Sequence, residues 1–169
     1  AYGEAGLGLF QQGIGPAAAL QQLLARDARP EKSQVLMLGP DETAVHTGPG
    51  CIPYAEHASS AGVACGANLM ARPGVPAAML EAFERLADAP LAERLLAALN
   101  RGQAAGGDLR GMQSAAMLVV AGEPTTTWAS GVRVNLRVED HPQPLDELGR
   151  LLTLRRAYDL LNSSNKEWD

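Results

Sequence analysis

Aromatic residues and long apolar runs are both scarce in this 169-residue sequence. Phe, Trp and Tyr make up 4% of it, so the core must be built mainly from small aliphatic side chains that let helices and strands approach closely. No apolar run approaches the ~20 residues that a membrane-spanning helix needs. Positive charge is not in excess either, because the formal net charge is −5. We therefore expect neither nucleic acid nor a membrane as a partner.

Cysteine is also rare, and its placement excludes the usual zinc motifs. Cys51 and Cys65 belong to no CxxC or Cys/His pattern, and we expect neither a metal nor a cofactor. Each lies in an apolar, glycine-rich stretch without a cationic neighbour, which predicts buried small hydrophobic residues rather than activated nucleophiles. No signal peptide is visible, so a reducing, cytoplasmic location is the default expectation.

The hydrophobic periodicity predicts an α+β chain. Apolar residues at helical spacing predict helices over 4–13, 17–28, 77–87, 90–105 and 144–161. Apolar runs and alternation predict strands over 33–38, 43–47, 60–70, 114–121 and 132–138, with an irregular connection over 122–130. Runs of strands followed by helices favour antiparallel sheets covered by helices, in one domain over residues 1–161. The polar segment 162–169 is expected to fray.

The stretch 106–114 joins a predicted helix to a predicted strand and concentrates polar groups. Its two leading glycines end the helix, because glycine adopts a positive φ without steric cost. Loops at the mouths of sheets are where binding and catalytic groups tend to lie. The candidates here are Asp108, Arg110, Gly111, Gln113 and Ser114. The alternative interpretation is that Asp108 and Arg110 only clip a tight turn.

Four longer stretches, 48–57, 68–76, 91–116 and 134–152, together resemble the domain of unknown function 1028 family, which is placed in the Ntn (N-terminal nucleophile) hydrolase superfamily. The resemblance is most specific at Gly107-Asp108, Arg110-Gly111, Gln113-Ser114 and Asp140-His141-Pro142. It implies an Ntn-hydrolase-like four-layer αββα sandwich with two facing antiparallel sheets. Residues 1–3 resemble a stretch that lies some way into the family's domain, so we expect the opening hairpin to be missing here.

The resemblance also implies a chemistry. In this superfamily an N-terminal Thr, Ser or Cys attacks an amide carbonyl, and its own α-amine takes up the proton. Ala1 offers the amine without the nucleophile, so we expect the 169-residue chain to be inactive. His57 and Asn68 match family positions, but Gly66 stands where family members carry a glutamine, and Tyr54-Ala55-Glu56 stands where they carry Trp-Ala-Gly.

The resemblance gives these residues candidate roles. Asn68 is a candidate donor to an oxyanion, and His57 is either a general acid or base or a structural hydrogen-bonding group. Asp108 with Arg110 could orient an amine or hold a substrate carboxylate. Gly111, Gln113 and Ser114 are candidate substrate contacts. Asp140-His141-Pro142 is expected to stop a strand and begin a helix.

These observations lead to one hypothesis and two alternatives. The hypothesis is an Ntn-type hydrolase of a small C–N amide bond, present here without its nucleophile. The first alternative is a catalytically silent sandwich that binds a small ligand in the same cleft. The second is a structural module that self-associates through an exposed sheet edge. Missing opening strands would leave edges unpaired, so a homo-oligomer is expected.

Overall fold

The computed structural model describes residues 2–123 and 127–165, and over this part it confirms the predicted α+β class. The helices are α1 (Tyr2–Gln11), α2 (Pro16–Arg26), α3 (Val75–Arg85), α4 (Leu91–Ala105), α5 (Trp128–Gly131) and α6 (Pro144–Asn165), with a short 3-10 turn at Pro30–Lys32. The strands are β1 (Gln34–Leu38), β2 (Thr43–Thr47), β3 (Glu56–Ser60), β4 (Val63–Ala67), β5 (Ala115–Val120) and β6 (Val132–Val138). They form three antiparallel hairpins: β1–β2, β3–β4 and β5–β6.

The first hairpin packs one face against α1 and α2. Val35 and Met37 on β1 alternate inward and are buried with leucines of both helices, including Leu9, Leu20 and Leu23. The strand register pairs Gln34 with Thr47, which places these two polar side chains at the open end of the hairpin. The predicted strands 33–38 and 43–47 therefore have the structure that their patterns indicated.

The second hairpin corrects the predicted strand 60–70. Two strands, β3 and β4, turn at Ala61-Gly62, where Gly62 has a φ of 73°. The prediction missed β3 because its sequence, Glu-His-Ala-Ser-Ser, has no apolar alternation for a pattern to detect. Beyond the end of β4, Met70 pairs with Asp108 in an isolated bridge.

The two hairpins lie face to face because small residues let them approach. A Cβ at Gly66 would lie 2.8 Å from Leu36 Cδ1, so only glycine fits there without displacing that leucine. The opposite face of β3–β4 is covered by α3 and buries Cys65, Ala67 and other apolar side chains. In this part of the protein, α1 and α2 lie against the first hairpin, the two hairpins contact each other, and α3 contacts the second hairpin.

The third hairpin forms a separate sheet, and among the described residues it packs against helices on one face. Met117 and Val138 point inward and are buried with Leu148 of α6. The other face exposes Leu118 and Val120 on β5, and the arginines of β6 lie on the same side. The alternation predicted for 132–138 is thus present. The apolar face of this hairpin is covered by helices rather than by a second sheet.

The structure differs from the predictions in the last helix. The last helix continues to Asn165, into the stretch expected to fray. Residues 166–169 and Ala1 lie outside the described residues, as does the middle of the predicted connection 122–130. Over the described ranges, no helix is both long and apolar enough to cross a membrane.

Candidate functional site

The loop after α4 is shaped by its glycines. Gly106 and Gly107 have φ values of 158° and 61°, and the N–H of Gly107 donates to the carbonyl oxygen of Gly102 at 3.1 Å. The Gln103 side chain lies over Gly107 so closely that a Cβ there would be 2.5 Å from Gln103 Oε1. A side chain at position 107 would therefore meet both an unfavourable φ and a collision.

Asp108 and Arg110 form a closed pair within this loop. Arg110 Nε and Nη2 donate to Asp108 Oδ1 and Oδ2 at 2.9 and 2.6 Å, and the backbone N–H of Arg110 donates to Oδ1 at 2.8 Å. These bonds, above all those from the Arg110 side chain, hold the pKa of Asp108 at about 2. Asp108 is therefore an ionised carboxylate near neutral pH and is poorly suited to be a general base.

Backbone hydrogen bonds join this loop to the segment that follows β4. Leu109 N–H donates to the Leu69 carbonyl at 2.9 Å, and Ala71 N–H donates to the Gly107 carbonyl at 3.0 Å. Leu69 has a φ of 57°, a region that non-glycine residues rarely occupy and that costs of order 1–3 kcal/mol. This strained residue follows Asn68 directly, so the tertiary pairing fixes the chain immediately beside that side chain.

These elements surround an open cleft of about 570 Å³ between the end of β4 and the entry to β5. Apolar side chains of α3, α4 and the start of α6 form part of its wall: Val75, Met79, Leu99 and Leu145. Six of the seven residues chosen from the sequence line it, namely Asn68, Asp108, Arg110, Gly111, Gln113 and Ser114. Residues from separate parts of the chain thus meet in one place.

His57, the seventh residue, lies elsewhere. It lines a second cavity of about 450 Å³ that is formed by residues between Thr47 and His57. Its Nδ1 is 2.9 Å from the hydroxyl oxygen of Thr47. Sequence reasoning grouped His57 with Asn68 through the family resemblance, and the fold places them in different cavities.

Gln34 connects these two places and was missed in the sequence. Its Nε2 donates to Thr47 Oγ1 and to the carbonyl oxygens of Glu56 and Ala67, at 3.0, 3.0 and 3.1 Å. Its Oε1 accepts from Asn68 Nδ2 at 3.2 Å. A glutamine beginning a strand carries no sequence signal for this role, because the role exists only once the two hairpins face each other.

Gln103 was also missed, although it lines the cleft and covers Gly107. Its position on the last turn of α4, immediately before the glycine pair, is the one signal that could have identified it. His141, by contrast, has the structural role predicted for its motif. Its N–H donates to the Gln113 carbonyl at 2.9 Å, and its Nδ1 accepts from Gln143 N–H at 3.0 Å.

The cysteines offer no nucleophile to the cleft. Cys65 is buried, and burial followed by the charge of Glu84 raises the pKa of its thiol. Cys51 is half-buried, more open than predicted, and lines the second cavity. Ser114 lines the cleft but has no hydrogen-bonded base among the described residues. Over the described ranges, no cluster of His, Cys, Asp and Glu could hold a metal ion.

The described residues of the cleft thus include donors suited to bind and polarise an oxygen atom, and they include no assembled pair of nucleophile and base. It offers one ion pair, the amides of Asn68, Gln103 and Gln113, and an apolar wall. Amide donors and a guanidinium are groups that recognise carbonyl and carboxylate oxygens.

Comparison with known proteins gives a consistent result. The structure is similar to the crystal structure of protein SPO2555 from Silicibacter pomeroyi, a DUF1028 protein, with a TM-score of 0.72 and 29% sequence identity. The similarity covers 90% of this chain and 65% of that one, so this chain spans about two thirds of its neighbour's length. No curated protein matches.

The sequence itself matches a family pattern over most of its length. Residues 1–148 match the family of unknown function DUF1028, as the motifs around the cleft loop predicted. Because this match covers far more than half of the sequence, the chain belongs to the DUF1028 family.

Proposed function

We propose that the cleft is the substrate site of a hydrolase that acts on a small C–N amide bond. The observation that carries this proposal is the convergence of Asn68, the Asp108–Arg110 pair and Gln113 on one cleft of about 570 Å³. That volume is in the range of small-molecule sites. A cleft with side-chain amides on one side and an apolar wall on the other suits a substrate with an amide and an aliphatic group.

Asn68 is the proposed donor to the oxyanion that forms when the amide carbonyl is attacked. Its Nδ2 gives one hydrogen to Gln34 Oε1, and its second hydrogen has no partner among the described residues and can bond a bound carbonyl oxygen. The bond to Gln34 and the strained backbone at Leu69 both restrict its movement. Donors held in place before the reaction are the ones that stabilise a developing negative charge best.

The nucleophile in this proposal is an N-terminal Thr, Ser or Cys contributed by polypeptide outside these 169 residues. The cleft residues supply binding and polarisation, since none of the described ones forms a nucleophile–base pair. An Ntn-type four-layer αββα sandwich is part of the same proposal. It is supported by the order of layers around the two stacked hairpins, α1 and α2, β1–β2, β3–β4, then α3.

The test begins with a natural protein that contains this sequence, which is screened for release of amine from small acyl amides. The Asn68→Ala variant of that protein is then assayed on the amide that the screen identifies. We expect kcat/KM to fall by on the order of 100-fold while the melting temperature is nearly unchanged, because Asn68 is exposed. The matched control is Asn135→Ala, an exposed asparagine on the outer face of β6. Unchanged kinetics in Asn68→Ala would contradict the proposal.

The 169-residue chain by itself should bind amides without turnover. Amine release by this chain that disappears in Cys51→Ala or Cys65→Ala would show that the nucleophile has been misassigned. Silent ligand binding is the alternative that a specific observation favours, namely the missing nucleophile–base pair in the described cleft. A natural protein that binds amides and never releases amine would establish that alternative.

A further inference from the structure

We infer that the substrate is an N-acyl amino acid, an amide with a carboxylate at one end and an aliphatic acyl group at the other. This inference rests on the proposed function, and it is drawn from the way in which Arg110 is engaged.

Within the described part of the chain, one edge of the Arg110 guanidinium is occupied and the other is open. Nε and one hydrogen of Nη2 are directed to the Asp108 carboxylate, and the backbone N–H of Arg110 adds a third bond to the same group. Three of the five guanidinium hydrogens, two on Nη1 and one on Nη2, have no partner among the described residues. Two of these three, one on Nη1 and one on Nη2, form the end-on edge, which matches the two oxygens of a second carboxylate.

The exposed part of this ion pair is its positive part. The Arg110 side chain is 66% exposed and that of Asp108 28%, and both Asp108 oxygens already accept hydrogen bonds from Arg110. No other charged residue among those described lines the cleft. A ligand cation would find Asp108 occupied, whereas a ligand anion would find donors available.

Asp108 also keeps these donors in place. A free arginine side chain loses much conformational freedom when it binds a ligand. Here Asp108 fixes the plane of the guanidinium in advance, and the bridge between Met70 and Asp108 fixes Asp108 on the wall of the cleft. The loop thus presents a pre-oriented donor edge, which lowers the entropic cost of binding.

The remaining part of the cleft suits the acyl group. Val75 and Met79 of α3 and Leu99 of α4 line the cleft. A short aliphatic chain can cover these side chains and exclude water from them. A carboxylate on Arg110, an amide among the side-chain amides and an aliphatic chain on the apolar wall together describe an N-acyl amino acid.

Two matched probes test this inference on the 169-residue protein. N-butanoylglycine carries the carboxylate, and N-butanoylglycinamide replaces it with a neutral amide. Isothermal titration calorimetry at pH 7 and low salt should give a dissociation constant at least tenfold lower for the acid. The preference should shrink as sodium chloride is added, because Arg110 is largely exposed.

Substitutions then locate the preference. Arg110→Gln should remove it, so that the two probes bind with equal affinity. Arg110→Lys should keep part of it, since the charge remains and the two-donor edge is lost. The control is Arg137→Gln, which breaks a similar arginine–acid pair, Arg137–Glu139, on the exposed side of β6. Melting curves confirm that each variant is folded.

The outcomes separate this inference from the proposed function. Equal affinities for the two probes, or a preference that persists in Arg110→Gln, would overturn the carboxylate assignment while the amide site stands. Failure of both probes to bind would overturn both. A preference lost in Arg110→Gln and kept in Arg137→Gln would support the inference.

Discussion

The two parts of the molecule that flank the cleft are built differently. On one side, β1–β2 and β3–β4 contact each other and each also contacts helices, and the amide of Gln34 bonds strands from both hairpins. On the other side, β5–β6 has helices on one face and exposes Leu118 and Val120 on the other. The stacked part is fixed by interlocking contacts, whereas the single hairpin depends on α4 and α6.

The difference shows where a binding site can form. The parts are joined beside the cleft by backbone bonds between 69–71 and 107–109, and the candidate residues lie next to that junction. The second cavity lies wholly within the stacked part and is formed by one continuous segment, 47–57. A site at a junction collects groups from distant elements, while a cavity in one segment offers what that segment carries.

The largest loss of stability is expected from Gly48→Ala, a substitution in the part with the two stacked hairpins. A Cβ at Gly48 would overlap the backbone carbonyl of Glu31 and lie 2.5 Å from the Pro30 oxygen, and backbone cannot move as a side chain tip can. The free energy of unfolding should fall by about 3 kcal/mol or more. Urea unfolding measures it. Gly8→Ala is the control in the same part, and should gain ~0.5–1 kcal/mol because Gly8 is helical with open space around it.

The next effect is expected from Gln34→Met, which keeps the volume and removes the amide that links the hairpins. The two Nε2 hydrogens are shared among three acceptors and Oε1 accepts one bond, so the equivalent of about three hydrogen bonds is lost, each worth ~0.5–1.5 kcal/mol net, and some groups rebond to water. We expect the free energy of unfolding to fall by about 2–3 kcal/mol. Gln113→Met, at an exposed glutamine, should change stability by less than ~0.5 kcal/mol. Equal effects in the two variants would show that the stacked hairpins do not depend on Gln34.

A smaller effect should appear in acid. Asp27 and Asp108 both have a pKa of about 2, the first chiefly through hydrogen bonds from Ser33 and Tyr2, the second chiefly through Arg110. Since both pKa values lie below the ordinary value of 3.8, the stability that they contribute is present above pH 4 and is lost as the pH falls toward 2. The melting temperature should fall less steeply between pH 5 and pH 2 in Asp27→Asn and in Asp108→Asn than in the original protein. Added salt should weaken the Asp108 contribution more than that of Asp27, because neutral hydrogen-bond donors lower the pKa of Asp27 most and the charge of Arg29 lowers it least.

The smallest effect on unfolding is expected from Leu118→Lys combined with Val120→Thr. These exposed side chains leave little apolar contact to lose, so stability should change by less than ~0.5 kcal/mol. Self-association, which we propose for this chain, should nevertheless weaken, since charge on an uncovered sheet face opposes pairing. Sedimentation velocity measures the change. Identical sedimentation of the variant and the original protein would show that this face is not the contact.

The sequence predicted what depends on neighbouring residues. The glycine pair, Asp108 and Arg110 form a local turn, and their spacing contained enough information to place them together. The alternation of β6 likewise predicted which side is buried. What it could not predict depends on distant packing: the polar strand β3, the contacts of Gln34, and the separation of His57 from Asn68. None of these follows from local pattern, because each requires the second hairpin to lie on the first.

The most direct test of the central claim is to locate where a small amide binds. N-butanoylglycinamide can be titrated into the 15N-labelled protein while backbone amide signals are followed. We predict that the shifts concentrate at residues 66–70 and 107–114, which line the cleft, and that signals of 47–57 stay in place. Shifts concentrated at 47–57, or no shifts at millimolar ligand, would contradict the assignment of the cleft as the functional site.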